Sequence, residues 1–396
     1  MKKLCSLLCV LLFVIQATAQ TPARKKQMIS LADKTLNFAA GQYKLMMKHL
    51  PDSVLPRSTN NKNGSLVTAN SGWWTAGFYP GTLWYLYEFT KDESLKQEAI
   101  KRDGLVEKEK NNKGTHDLGF MMYCSFGNGY RLTKNPAYKE VLLTSARSLS
   151  TRFNPKVGCI KSWDHGAWEF PVIIDNMMNL ELLTWATRVS KDPSFDRIAR
   201  THANTTMKHH FRPDFSSYHV IAYDSTTGAV LKQQTHQGAA DSSAWSRGQA
   251  WGLYGYTMMF RETKDKQYLD QAQHIADFIL NNPTLPADLI PYWDYDAANI
   301  PDAPRDASAG AVAASALLEL SRYTKGAVSV RYWNAGEKML ESLCSPAYLA
   351  TAGENNDFIL KHSVGSLPHN SEVDVPLTYA DYYFVEALLR YKKWAK

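Results

Sequence analysis

The segment Ala244-Trp-Ser-Arg-Gly-Gln-Ala-Trp-Gly-Leu-Tyr-Gly255 sets one guanidinium, Arg247, between two indoles, Trp245 and Trp251. Arg247 and Trp251 lie one turn apart on a helix and therefore share a face. A planar cationic fork beside an aromatic plate suits an anionic, ring-shaped ligand: the fork grips a carboxylate and the indole stacks on the ring. Gly248, Gly252 and Gly255 let a neighbouring helix or a ligand approach closely. The same segment also reads as a glycine-spotted core helix with one partnered arginine, and the sequence leaves both readings open.

Two carboxylates stand where acid–base chemistry could use them. Asp175-Asn176 interrupts the apolar run Pro171-Val-Ile-Ile-Asp-Asn-Met-Met. A carboxylate is costly to bury in charged form, so its pKa should rise and fit it to act as a general acid near neutrality. His116-Asp117 opens the run Leu118-Gly-Phe-Met-Met-Tyr. Capping of the helix start is the competing reading for either Asp. The polar stretch Thr235-His236-Gln237-Gly238 leads into the Arg247 helix, and His236 and Gln237 can donate hydrogen bonds to a sugar or a carboxylate. His219 is a further candidate; a lone histidine more commonly serves structure. No metal site is expected, because His209 and His210 are adjacent and diverge on a helix and the cysteine spacing is wrong for zinc. Asp294, Asp296, Asp302 and Asp306 lack the spacing of a calcium loop and read as a rim or a solvated loop. No phosphate-binding glycine loop or serine-nucleophile motif occurs, and no cofactor is expected.

The elements that must position these groups are helical almost throughout. Helix-period segments run at about 28–48, 76–90, 93–107, 118–131, 136–151, 173–189, 193–210, 246–262, 267–281, 307–323, 328–344 and 376–392. They alternate between amphipathic, charged segments and segments apolar nearly all round. The first kind belongs outside and the second inside. Six outer helices alternating with six inner ones describe an all-α (α/α)6 toroid; an open solenoid is the alternative, but no clean sequence repeat is evident. Parallel inner helices share one end. Trp73, Trp74, His116, Asp117, Asp175, Trp245, Arg247, Asp306 and Asp374 all fall near the starts of inner helices, which predicts one pocket there. Helix N-termini add positive potential that favours an anion.

Residues 1–20 read as a secretory signal: Lys2 and Lys3, an apolar run from Leu4 to Ile15, then Ala17-Thr18-Ala19. The expected product is exported, into the periplasm, with 21–396 forming a single catalytic domain. Cys124, Cys159 and Cys344 then remain, too few and odd in number for a disulfide framework. The full chain carries a formal charge of +7 without a dense basic block. That fits a small acidic substrate and argues against nucleic acid. No later stretch is long and apolar enough to span a membrane. The oligomeric state is not legible.

Thr115-His-Asp-Leu-Gly-Phe120, Asp175-Asn-Met-Met-Asn-Leu-Glu181 and Trp245-Ser-Arg-Gly-Gln-Ala-Trp-Gly-Leu-Tyr-Gly255, together with Trp74-Thr-Ala-Gly-Phe-Tyr-Pro-Gly81 and the late Ser371-Glu-Val-Asp-Val-Pro-Leu-Thr-Tyr-Ala, resemble glycoside hydrolase family 88, the unsaturated glucuronyl hydrolases. The likeness runs in order over nearly all of the chain after residue 20. It implies an (α/α)6 toroid and a substrate with a 4,5-unsaturated uronic acid at its non-reducing end, as left by polysaccharide lyases, glycosaminoglycan lyases above all. It implies hydration of the ring's vinyl ether, with Asp175 as general acid/base. Asp117 matches a second essential carboxylate, which either steadies the developing cation or orients Asp175 and the sugar. Trp74, Arg247 and Trp251 match substrate-binding positions; Thr235, His236 and Gln237 match a polar loop near the acid; His116 and His219 match pocket histidines. Gln233 matches a substrate-binding position where some relatives have Gly, which would alter the pocket wall.

Ser363-Val-Gly-Ser366-Leu-Pro368 lacks the lysine of a Ser-x-x-Ser-x-Lys loop found in relatives that favour sulfated ends. Two rival functions remain: an unsaturated rhamnogalacturonyl hydrolase, and a non-catalytic sugar-binding toroid.

Overall fold

The computed structural model describes residues 21–395; the expected signal segment, 1–20, lies outside them. Among the described residues twelve α-helices follow in order: α1 Pro22–His49, α2 Phe78–Thr90, α3 Glu93–Val106, α4 Asn128–Thr133, α5 Pro136–Ser150, α6 Asn176–Ser190, α7 Pro193–His209, α8 Ser246–Thr263, α9 Lys266–Asn281, α10 Ala307–Leu320, α11 Gly326–Leu343 and α12 Thr378–Trp394. The α4 helix continues a π-helical run, Gly119–Gly127. The inner ring is α2, this π–α4 unit, α6, α8, α10 and α12. Each packs on the next, and α12 packs back on α2, so the ring closes. That closure decides for the toroid over the open solenoid. Helix α8 is buried nearly along its length, whereas α7 and α9 bury one stripe each.

One turn design joins inner to outer helices. Thr90-Lys91-Asp92, Thr133-Lys134-Asn135, Ser190-Lys191-Asp192 and Thr263-Lys264-Asp265 each place the lysine in the left-handed region. In each, the hydroxyl accepts the next acidic or amide residue's backbone N–H. That residue's side chain then caps the following helix. This is an internal repeat, hidden in the sequence because the loops at the opposite end differ in length.

Those loops carry small antiparallel sheets over the N-terminal ends of the inner helices. Strands β1 Leu55–Thr59 and β2 Leu66–Ala69 pair, as do β3 Phe153–Asn154 and β4 Cys159–Ile160. Strands β5 Phe170–Ile173, β6 Val220–Tyr223 and β7 Val230–Gln234 form one sheet. Strands β8 Ser363–Ser366 and β9 Ser371–Val375 form a hairpin.

The π-helical run departs from the expected α-helix at 118–131, and its cause is close packing. The Asn179 side chain accepts the Phe120 N–H at 2.9 Å. Gly119 lies against the Asn179 backbone, where a Cβ would come within 2.4 Å of Cα. On the other side Gly77 abuts the carbonyl oxygens of Met121 and Phe120, and a Cβ there would sit 2.2 and 2.3 Å from them. Cys124, Cys159 and Cys344, the cysteines among the described residues, are free and buried.

A cavity of about 970 Å³ opens at the C-terminal ends of the inner helices, away from the loops. Its charged floor is already matched: Arg261 pairs with Glu181 and Glu319, and Arg390 with Glu319 and Glu386.

Gly77→Ala should lower stability by about 1–3 kcal/mol or more, because backbone atoms must move to admit the methyl. Gly41→Ala, in α1 with nothing within 4 Å of its Cβ position, should instead raise it by up to about 1 kcal/mol. Denaturation midpoints of the two variants test the close contact; a neutral Gly77→Ala would contradict it.

Candidate active site

Asp175 sits at the N-cap position of α6, yet its side chain makes no capping bond. Residue 174 is fixed by its N–H on the His219 carbonyl, so the turn from β5 into α6 aims the carboxyl inward. Asp175 is 7% exposed. Burial pushes its pKa up to about 7, the Asp117 charge adding to the rise, while Arg247 and the Trp251 indole N–H oppose it. Oδ2 of Asp175, Nε1 of Trp251 and Nε2 of His219 are buried without an ordinary hydrogen bond among the described residues.

The two histidines beside the acids have settled tautomers. His219 Nδ1 accepts the backbone N–H groups of His236 and Gln237, both at 3.1 Å. Its remaining proton is therefore on Nε2, which lies 3.8 Å from Asp175 Oδ2. Burial pushes the His219 pKa well down, so the ring is neutral. His116 is the converse. Its Nδ1 donates to the Ser162 carbonyl at 2.9 Å, since a carbonyl can only accept. The Nε2 lone pair then faces Asp117 Oδ1 at 3.2 Å. Burial also lowers the His116 pKa. The Asp117 side chain makes no capping bond either; its carboxylate accepts the Thr115 hydroxyl, at 3.1 Å.

Arg247 departs from the expectation that it awaits a substrate carboxylate. It is 1% exposed. Its guanidinium donates to Asp306 Oδ2 at 3.0 Å and to the carbonyls of Val364 and Gly365, the latter at 2.6 Å. Trp245 and Tyr379 lie along its faces, at 4.5 and 5.4 Å. A buried cation must be paired whether or not a ligand is present. The partner is Asp306.

Trp251 is likewise fully buried, against Phe120 and Tyr383, and offers no face to a sugar. Its contribution is the indole N–H beside Asp175. Trp74 is half-buried and tilted on Tyr379 at 4.9 Å, beside Phe120.

The 235–237 loop is placed as a support as well as a lining. Thr235 Oγ1 accepts the Gly238 N–H at 2.8 Å, and the Gln237 side chain reaches the Gly365 carbonyl at 2.9 Å. Gln233 does not join the site: it is exposed and its side chain donates to the His209 carbonyl, while Gln234 is buried. The acidic loop is also not solvated throughout. Asp294 is buried and accepts Ala239 N–H and Ser243 Oγ–H, and Asp306 caps α10. Asp374 pairs with exposed His362 instead of entering the mouth.

Sequence reasoning missed the segment Trp163–Trp168. Trp163 packs edge-on to His236 at 5.1 Å and to His219 at 6.2 Å. Two tryptophans in a short non-helical, glycine-bearing loop were the available signal.

Arg247→Lys keeps the charge but loses the fork that joins α8, α10 and β8. It should lower stability by about 2–5 kcal/mol, read from the denaturation midpoint. An unchanged midpoint would mean that the fork is free.

The sequence profile described as Glycosyl Hydrolase Family 88 matches residues 44–394. An unsaturated glucuronyl hydrolase of Formosa agariphila is 44% identical over 396 residues, covering 98% of each chain. A solved unsaturated glucuronyl hydrolase specific for heparin superposes with a TM-score of 0.90 at 51% identity, over 92% of this chain and 97% of its own. A mutant of the Streptococcus agalactiae unsaturated glucuronyl hydrolase, complexed with dGlcA-GalNAc6S, has a TM-score of 0.78 at 29% identity, over 95% and 94%. Ring closure, the order of the motifs and these likenesses agree: the chain belongs to glycoside hydrolase family 88.

Proposed function

We propose that this enzyme removes the 4,5-unsaturated uronic acid from the non-reducing end of glycosaminoglycan-derived oligosaccharides by hydrating the vinyl ether of the ring. The observation that carries the reading is Asp175: a carboxyl with a pKa near 7, buried at the mouth beside a second carboxylate, Asp117. An acid that still holds its proton at neutral pH is what protonation of an enol ether carbon requires.

Asp175 delivers its proton to C4. Positive charge then develops at C5, shared with the ring oxygen, and Asp117 stands near enough to steady it. The Asp175 carboxylate left behind is received by three groups already in place: the Arg247 charge, the Trp251 N–H and the His219 Nε2–H. They keep the acid from being too weak to give up its proton. Water adds at C5 and returns a proton to Asp175. The resulting hemiketal opens, and the aglycone leaves. His116 Nε2, held as a bare lone pair, accepts a hydrogen bond from a sugar hydroxyl. Trp74 supplies an aromatic wall for the unsaturated ring.

The relatives' names favour a glucuronyl over a rhamnogalacturonyl substrate. Two retained carboxylates with separated environments favour catalysis over passive binding. An exported location, read from Lys2 to Ala19, would place the enzyme where lyase products arise.

Turnover in deuterated water should put deuterium at C4 of the released uronate, and ¹⁸O water should label its C5 carbonyl. Label at C1 with the double bond intact would mean ordinary glycosidic cleavage. Asp175→Asn should keep fold and binding but lose roughly 10²–10⁴-fold in kcat. Because the protonated form is the acid, kcat of the unaltered enzyme should fall as pH rises through about 7; a limb only near the ordinary carboxyl range would contradict the assignment.

A further inference from the structure

Both acids stand at helix starts, where an aspartate ordinarily spends its carboxylate on the free backbone N–H groups of the first turn. Neither does so here. In α6 the first turn is drawn tight: the Met177 N–H reaches the Ile174 carbonyl at 3.1 Å, and the Met178 N–H reaches that of Asp175 at 3.0 Å. Backbone carbonyls take those donors, and the Asp175 side chain makes no capping bond.

The π-helical run is served differently. The Met121 N–H bonds the Asp117 carbonyl at 2.9 Å, which puts Asp117 in the capping position. The N–H three residues on, that of Phe120, is one that a capping aspartate takes. It goes instead to Asn179 Oδ1, at 2.9 Å, on another helix. Asn179 lies one turn after Asp175 on α6. Gly119 makes the reach short: a Cβ there would fall 2.4 Å from the Asn179 Cα and 2.7 Å from its Oδ1. Asn179 is fully buried, and its Nδ2 has no hydrogen-bond partner among the described residues. An unbonded buried amide group is costly, so the position keeps an asparagine for its oxygen. The Asp117 carboxylate, relieved of the cap, accepts the Thr115 hydroxyl, faces His116 Nε2 and stays 13% exposed.

We propose that Asn179 is a positioning residue for the reaction: it caps the π-helical run in place of Asp117 and so keeps the Asp117 carboxylate free to face the sugar. This rests on the function proposed above. Without the Asn179 oxygen, Asp117 is the residue placed to take the Phe120 N–H. Its carboxylate would then turn along the helix start, share its charge with that N–H and serve the cation developing at C5 less well.

A double-variant cycle of Asn179→Ala with Asp117→Ala tests this, read in both turnover and stability. Asn179→Ala should lose roughly 10–10²-fold in kcat, with KM within about threefold of the unaltered enzyme. Because Asn179 acts through Asp117, the double variant should be no slower than Asp117→Ala alone, to within about threefold. Stability should couple the opposite way. Asp117→Ala should raise the unfolding constant roughly fivefold more in the Asn179→Ala background than in the unaltered protein, since neither residue can then cap. Losses in kcat that multiply, or an Asp117→Ala cost that is the same in both backgrounds, would overturn the proposal. Should Asn179→Ala not fold, Asn179→Asp keeps the accepting oxygen and loses the unbonded amino group. It should turn over at least about tenfold faster than Asp117→Ala; equal rates would overturn the proposal as well. Unaltered kcat in Asp117→Ala would instead count against the proposed function, and the stability comparison would still read the cap.

Discussion

A guanidinium cannot be buried alone, and at the mouth of this toroid that constraint fixes the geometry. Arg247 projects from the first turn of α8, Asp306 starts α10, and the Val364 and Gly365 carbonyls belong to β8. One side chain thus ties two inner helices and the hairpin that overhangs them. Asp306 also accepts the Ser308 N–H at the start of its own helix. The same cation acts through space on Asp175, opposing the effect of burial. Stability of the mouth and acidity of the proton donor therefore share a cause, and neither can be altered alone by changing Arg247.

A second order follows from backbone groups acting on histidines. Two N–H groups of the 236–237 loop set the proton of His219 toward Asp175, and one carbonyl, that of Ser162, sets the proton of His116 away from Asp117. One acid thus faces a donor and the other an acceptor. This asymmetry separates two carboxyl groups of identical chemistry into a proton donor and a partner of a different kind.

The fold was legible because burial follows helical period. The alternation of apolar and amphipathic segments marked twelve helical segments to within three residues, save that α1 starts six residues earlier than expected, and the buried Asp175 announced itself by interrupting an apolar run. Three things were not legible. The π-helical turn at Gly119–Gly127 depends on Asn179 and Gly77 packing from other helices, which no local pattern records. The partner of Arg247 lies 59 residues away in sequence, so its pairing could not be told from readiness for a ligand. The likeness placed Gln233 in the site, whereas it lies exposed on the His209 carbonyl and Gln234 is the buried residue. The four hydroxyl–lysine–acid or –amide turns were present in the sequence, but unequal loops disguised their recurrence.

The central claim is that burial keeps a proton on Asp175 at neutral pH. The most direct measurement is the infrared carbonyl stretch of protonated carboxyl groups, followed with pH as a difference between the unaltered protein and Asp175→Asn. Other buried carboxyls, such as Asp103 and Asp381 with pKa values raised to about 8 and about 7, are common to both proteins and subtract out. A difference band should be present in mildly acidic solution and vanish as pH passes through about 7. A band already lost near pH ~4, the range of an exposed aspartate, would show that Asp175 is ionised when the enzyme works and cannot be the proton donor.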